Sequence, residues 1–185
     1  VPVSMDDITI GQYQKYVKIV EENKDVEDNN FINLKLLNIF CDITMKEAYE
    51  LPITQFEYII NHLSNILSDK PDLQTRFTME DPKGKVVELD KMTLGEYIDA
   101  ESYLGDWQNM HKAMSVLYRP IVAGNKNFYK IENYESSDKY AAIMKDAPCT
   151  VAIGSILFFL SLGIELSKTT LDSLLKQQQT SIDQD

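Results

Sequence analysis

The stretch Cys149-Thr150-Val151-Ala152-Ile153-Gly154-Ser155-Ile156-Leu157-Phe158-Phe159-Leu160-Ser161-Leu162-Gly163-Ile164 runs for sixteen residues without a charge. Two readings compete for it: a membrane span, or a helix kept dry by protein. A bilayer crossing takes about 20 apolar residues, enough for ~30 Å of hydrocarbon. At about 1.5 Å per residue this stretch reaches only about 24 Å. It also carries Thr150, Ser155 and Ser161, and no basic cluster marks one flank. Glu165 and Lys168 then return the chain to water. The sequence therefore predicts a helix packed against protein over residues 151–162. Its apolarity on nearly every side implies that part of this surface, Phe158 and Phe159 included, meets another chain.

Working outward, the rest of the chain is also written mostly in helical period. Three capping boxes open helices: Thr9 with Gln12, Thr44 with Glu47, and Thr93 with Glu96. The first helix carries Tyr13, Tyr16, Val17 and Val20 and runs to about Glu22; a second covers residues 31–40. A short helix from Thr44 ends near Leu51. Pro52 then opens an amphipathic helix, striped by Phe56, Ile59, Ile60, Leu63, Ile66 and Leu67. Helices are further expected from Thr93, over residues 107–118 with Pro120 closing, and over 137–147. Residues 169–176 extend the apolar helix, and 177–185 read as a polar tail. The period changes once. Residues 76–80 and 85–89 alternate around Asp81-Pro82-Lys83-Gly84, a type I turn sequence, and form the one convincing hairpin. Residues 123–133 read as a loop. The expected fold is mainly α: a compact multi-helix domain with one small β-hairpin over residues 1–176, divisible at about residue 70.

Composition narrows the function. With 29 acidic and 18 basic residues the net charge is −11, which disfavours direct contact with nucleic acid or an anionic membrane and favours basic partners. No signal peptide is visible in Val1 to Asp7, which show no basic region followed by an apolar one. Cys41 and Cys149 lack metal or redox spacing; they read as two buried thiols or as a disulfide with each other.

Residues for catalysis are sparse. His62 and His111 lie far apart in sequence and each reads as structural or surface. No HExxH or CxxC pattern occurs. Glu96, Asp99, Glu101 and Asp106 crowd one region, but Glu96 serves the third capping box. Asp99 and Glu101, two positions apart, point about 200° from each other on a helix. The glycines are too isolated for a phosphate loop, and Gly154-Ser155 lacks the rest of a nucleophile elbow. No catalytic residue, cofactor or metal is expected. The ten tyrosines and one tryptophan offer contact surface. The interface candidates are Tyr97, Trp107, Tyr118, Arg119, Phe158 and Phe159. Arg119 follows a helix end, and Asp99 and Asp106 are within its expected reach.

The run Met92-Thr93-Leu94-Gly95-Glu96-Tyr97-Ile98-Asp99-Ala100-Glu101 resembles tailed-bacteriophage proteins, among them tail-assembly chaperones and baseplate-hub assembly proteins. His111-Lys112-Ala113-Met114-Ser115-Val116-Leu117-Tyr118-Arg119-Pro120 and Pro148-Cys149-Thr150-Val151-Ala152 continue the likeness. Together these runs cover residues 92–162, under half the chain, and residues 44–67 are similar to a block upstream in such proteins. The resemblance implies a non-enzymatic virion or assembly component of a tail, baseplate or head–tail junction. It implies as partners other phage structural proteins or further copies of the chain, and as location the bacterial host cytoplasm or the virion tail or neck. Two other readings stand beside it: an interaction module or chaperone outside a phage, and an enzyme whose site is scattered along the sequence.

Overall fold

The computed structural model describes residues 1–25, 29–74, 76–78, 86–88, 94–125 and 128–182. The fold is mainly α. In chain order, helices α1 (Ile10–Glu22), α2 (Asn29–Cys41), α3 (Met45–Glu50) and α4 (Ile53–Leu67) precede strands β1 (Arg76–Thr78) and β2 (Val86–Glu88). Then come α5 (Leu94–Leu104), α6 (Met110–Leu117), β3 (Arg119–Asn125), β4 (Phe128–Ile131), α7 (Ala141–Met144) and α8 (Cys149–Ile182). Short 3-10 turns at Met5–Asp7 and Trp107–Asn109 lead into α1 and α6.

The helix starts follow from side-chain chemistry. Thr9 Oγ1 accepts from the Gln12 N–H at 3.1 Å while Gln12 Oε1 accepts from the Thr9 N–H at 3.0 Å. Thr44 and Glu47 repeat this exchange at 3.3 and 2.8 Å. Each box satisfies donors that the first helical turn leaves bare. Thr93 lies outside the described residues, and with it the third box. α2 stops because Asp42 turns left-handed at φ 54, a conformation that aspartate tolerates better than most residues.

The hairpin is present: β1 pairs antiparallel with β2, Phe77 opposite Val87, while its turn sequence lies outside the described residues. The sheet is larger than the sequence indicates. β2 also pairs with β3, and β3 with β4, in the order β1-β2-β3-β4. The segment read as a loop over 123–133 is thus partly strand. Pro120, Gly124 and Asn125 carry loop signals, and a register shift between Ile121 and Ala123 breaks the alternation that would mark a strand. The helix expected over 137–147 shrinks to α7. Polar bonds hold turns in its place: Tyr140 N–H donates to Ser115 Oγ at 3.3 Å, Tyr140 Oη to Glu132, and Lys139 pairs with Glu132 and Glu135. In the other direction α8 absorbs part of the expected polar tail and continues to Ile182, since no glycine or proline interrupts residues 164–182.

Two apolar clusters form the core. One gathers α2 and α4 around Leu37, Phe40 and Leu63 with Ile8 and Cys149; the other gathers α6 around Met110, Met114 and Tyr118 with Ile10 and Val151. Trp107 packs against both. Between them the chain pairs with itself. Ile10 N–H donates to Ala147 C=O at 2.9 Å, Gly11 N–H to Lys145 C=O at 2.8 Å, and Cys149 N–H to Ile8 C=O at 2.7 Å. Both cysteines are free thiols, Cys149 buried and Cys41 half-buried.

The segment before β1 crosses α8 at Gly154. A β-carbon there would sit 2.5 Å from the Asp72 carbonyl oxygen and 3.2 Å from Leu73 Cα, both backbone atoms. Gly154→Ala therefore forces the crossing apart and is expected to cost about 1–3 kcal/mol. Urea unfolding of both proteins measures it, and equal midpoints would contradict the close crossing.

Candidate protein-interaction surface

α8 changes character along its length. From Cys149 to Ala152, and again at Ser155, it is fully or almost fully buried. Its root is fastened by the Ile8–Cys149 backbone bond and by Thr150, whose Oγ1 donates to Asp6 Oδ1 at 2.5 Å and accepts from Gln74 Nε2 at 3.2 Å. Beyond Ile156 the helix leaves the domain while remaining apolar. Phe158 is 40% exposed, Leu160 and Ile164 58%, Leu171 57% and Leu174 54%. The hydroxyls on this arm are turned inward. Ser161, Ser167, Thr169 and Ser173 donate to the carbonyls four residues back, at 2.8–2.9 Å, which removes these hydroxyls from the surface chemistry.

Where the arm departs, a groove of about 330 Å³ opens between it and α5. Ala100, Leu104 and Gly105 line one wall and Ile156, Phe159, Leu160 and Gly163 the other, with Glu101 at the edge. A β-carbon on Gly105 or Gly163 would meet no atom within 4 Å. Phe158 and Phe159 contact edge to face at 5.5 Å between ring centres.

The six interface candidates separate accordingly. Phe158 is exposed on the arm, and Phe159 is half-buried in the groove. Trp107 is half-buried, 4.5 Å from the Tyr13 ring, and joins the two clusters. Tyr97 lies on α5, and its side chain is outside the described residues. Tyr118 and Arg119 are not surface groups. Tyr118 is wholly buried, donating from Oη to the Gln74 carbonyl at 2.6 Å and meeting Ser155 Oγ at 3.0 Å. Arg119 does not reach for Asp99 or Asp106. It is buried against Glu96 at 2.7 Å and donates to the Glu132 carbonyl at 3.0 Å. The strand register explains this, because Arg119 lies opposite Glu88 in β2 rather than continuing α6. Asp99 instead accepts from the Tyr134 hydroxyl, and Asp106 caps the turn at Gln108.

Leu157, Leu160, Ile164, Leu171 and Leu174 are exposed apolar side chains outside the six candidates, the first two within residues 151–162 and the other three beyond them. Their spacing of three, four, seven and three is legible, but the sequence reading centred the contact on 151–162.

Both histidines have hydrogen-bonding neighbours. Gln14 Nε2 donates to the Trp107 and Gln108 carbonyls at 2.7 and 3.1 Å and lies 2.9 Å from His111 Nδ1. Burial, then Lys145 and Lys112, lower the His111 pKa, against a smaller opposing effect from Asp138. His62 Nε2 lies 2.9 Å from the Pro2 carbonyl. Among the described residues no group of three histidine, cysteine or acidic side chains is placed to hold a metal ion.

Burial pushes the Tyr118 hydroxyl up to about 12, against a smaller opposing effect from Ser155. An acid whose folded pKa is raised stabilises the fold while protonated. That contribution is complete below pH 10 and is lost as pH rises from 10 to about 12, where the unfolded chain ionises first. The loss should amount to about 2–3 kcal/mol. Unfolding free energies of the parent and Tyr118→Phe, compared from pH 9 to about 12, should converge over this window; parallel profiles would refute the assignment.

No protein-family model matches the chain, and neither a curated protein nor a solved structure shows significant similarity to it.

Proposed function

We propose that this chain is a non-enzymatic assembly protein that docks its α8 arm onto other protein, and that its setting is the building of a bacteriophage tail, baseplate or head–tail junction. The observation that carries the docking role is the row of exposed leucine, isoleucine and phenylalanine side chains on a helix that has left a closed core. Large apolar side chains arrayed on one projecting element mark a contact surface. The phage setting draws on the likeness of residues 92–162 and 44–67 to tail-assembly and baseplate-hub proteins. Assembly would take place in the host cytoplasm.

Protein suits the arm better than lipid. Residues Cys149–Leu171 are long and apolar enough to cross a membrane by length and composition. The first part of that span, Cys149 to Ala152 with Gly154 and Ser155, is nevertheless inside the domain, bonded to Ile8 and lying beneath Asp72. A crossing would have to begin near Leu157. The next 20 residues, about the number a span requires, then contain Glu165, Lys168, Asp172 and Lys176. Each charge near a bilayer centre costs about 2.5–3.5 kcal/mol on insertion scales. The net charge of −11 likewise opposes nucleic acid as the partner.

A photo-crosslinking residue at Ile164, introduced in cells that make the native assembly, tests this reading. Ile164 is exposed, so the fold should tolerate the change. Mass spectrometry should find adducts to a viral structural protein or to a second copy of the chain. Adducts to lipid alone, or none, would overturn the docking role. Adducts confined to host proteins would overturn the phage setting.

A further inference from the structure

Resting on the reading of the arm as a docking element, we infer that its occupant is a second copy of this chain, paired with it as a parallel coiled coil. The seam consists of Leu157, Leu160, Ile164, Leu171 and Leu174. Together with Ser167 these residues occupy alternating first and fourth heptad positions: 157, 164 and 171, and 160, 167 and 174. That is the 3.5-residue period which keeps one stripe facing a partner helix, and all five apolar members are at least 36% exposed. Six layers rise over residues 157–174, a seam roughly 26 Å long.

Charge points to self-pairing. Coiled coils that select a different chain do so largely through charged residues flanking the seam, at the fifth and seventh heptad positions. Here those positions hold Ser161, Gly163, Lys168 and Thr170, with no acidic residue to select a basic partner. In a parallel pair Lys168 of each copy lies beside Gly163 of the other, where no like charge opposes it. Glu165 and Asp172 fall at second positions, away from the seam. A foreign helix would find no charge code on this arm, whereas a second copy needs none.

Orientation follows from Ser167. In the parallel register it faces its own equivalent, and every leucine or isoleucine faces an apolar residue. The antiparallel register that overlaps the same six layers sets Ser167 against Ile164, placing a hydroxyl against an apolar side chain. The area is sufficient. The exposed parts of the five seam side chains come to roughly 450 Å² per copy, so pairing buries on the order of 1,000 Å², where specific interfaces begin.

Sedimentation equilibrium of the full chain, with helicity and urea unfolding measured alongside, tests the pairing. The chain of 21.2 kDa should sediment at twice that mass at micromolar concentration. Ile164→Asp and Leu171→Asp should each weaken self-association at least tenfold and leave the unfolding midpoint unchanged at concentrations where the parent is a single copy, because both positions are exposed there. Leu171→Cys, in a Cys41→Ser background, should oxidise to a same-site disulfide between copies. A single-copy mass at every concentration, undiminished pairing in the aspartate variants, or a dimer that forms no 171–171 disulfide would overturn the proposal. So would flotation of the chain with neutral phosphatidylcholine vesicles. A single-copy mass accompanied by Ile164 cross-links to another viral protein would remove the coiled coil and leave the docking role standing. A single-copy mass without any protein cross-link would remove both.

Discussion

The fold depends on a short backbone pairing between residues 8–11 and 145–149. Ile8 and Ile10 are each wholly buried, and they belong to different clusters. The bonds from Ile10, Gly11 and Cys149 let this stretch cross the interior without leaving those groups unpaired. One segment thereby serves as the floor of both clusters and sets the place where α8 begins. The two sides also share Trp107, and α1 reaches both, Gln12 donating to the Ile39 carbonyl and Gln14 to the Trp107 carbonyl. Gly11 belongs to the same constraint: its α-carbon passes so near Lys145 that a β-carbon would sit 3.1 Å from the Lys145 carbonyl oxygen.

A second joint fixes the sheet to the helices. Glu96 on α5 and Arg119 at the start of β3 pair at 2.7 Å with both side chains almost fully buried. Removing two charges from water is costly, and close geometry with further hydrogen bonds must offset it. Arg119 Nη1 supplies one by donating also to the Glu132 carbonyl, beyond the end of β4. Its Nε has no protein acceptor among the described residues. The guanidinium thus links α5, β3 and the segment leading to α7. A polar network continues through Glu132, Lys139 and Tyr140. These residues explain why the acidic crowd around Glu96 and Asp99 reads ambiguously from sequence: its partners lie 20 to 40 positions away.

Legibility followed the range of the interaction. The α1 and α3 starts were readable because a capping box spans only four residues, and the α4 stripe because its period is local. Four helix ends were placed within a residue or two for the same reason. β3 was not readable. Its partners are β2 and β4, its first turns of sequence hold Pro120 and Gly124, and its bulge removes the alternation. Tyr118 and Arg119 looked like anchors because an aromatic beside a cation at a helix end is an interface pattern. Only the strand register and the position of Glu96 turn them inward. On the arm the reverse holds. The composition marked the helix as needing a partner, but not that the domain covers only its root.

The covered root has a mechanical consequence. Asp6, Ile8 and Gln74 fasten α8 from different directions, and the chain at Asp72 presses on Gly154. A helix held in this way cannot swivel in its socket without breaking one backbone and two side-chain hydrogen bonds together. Residues 157–182 add a rod of about 39 Å beyond it. Displacement at the tip therefore turns the whole body instead of bending a joint, and the arm behaves as a lever whose angle is fixed when the protein folds.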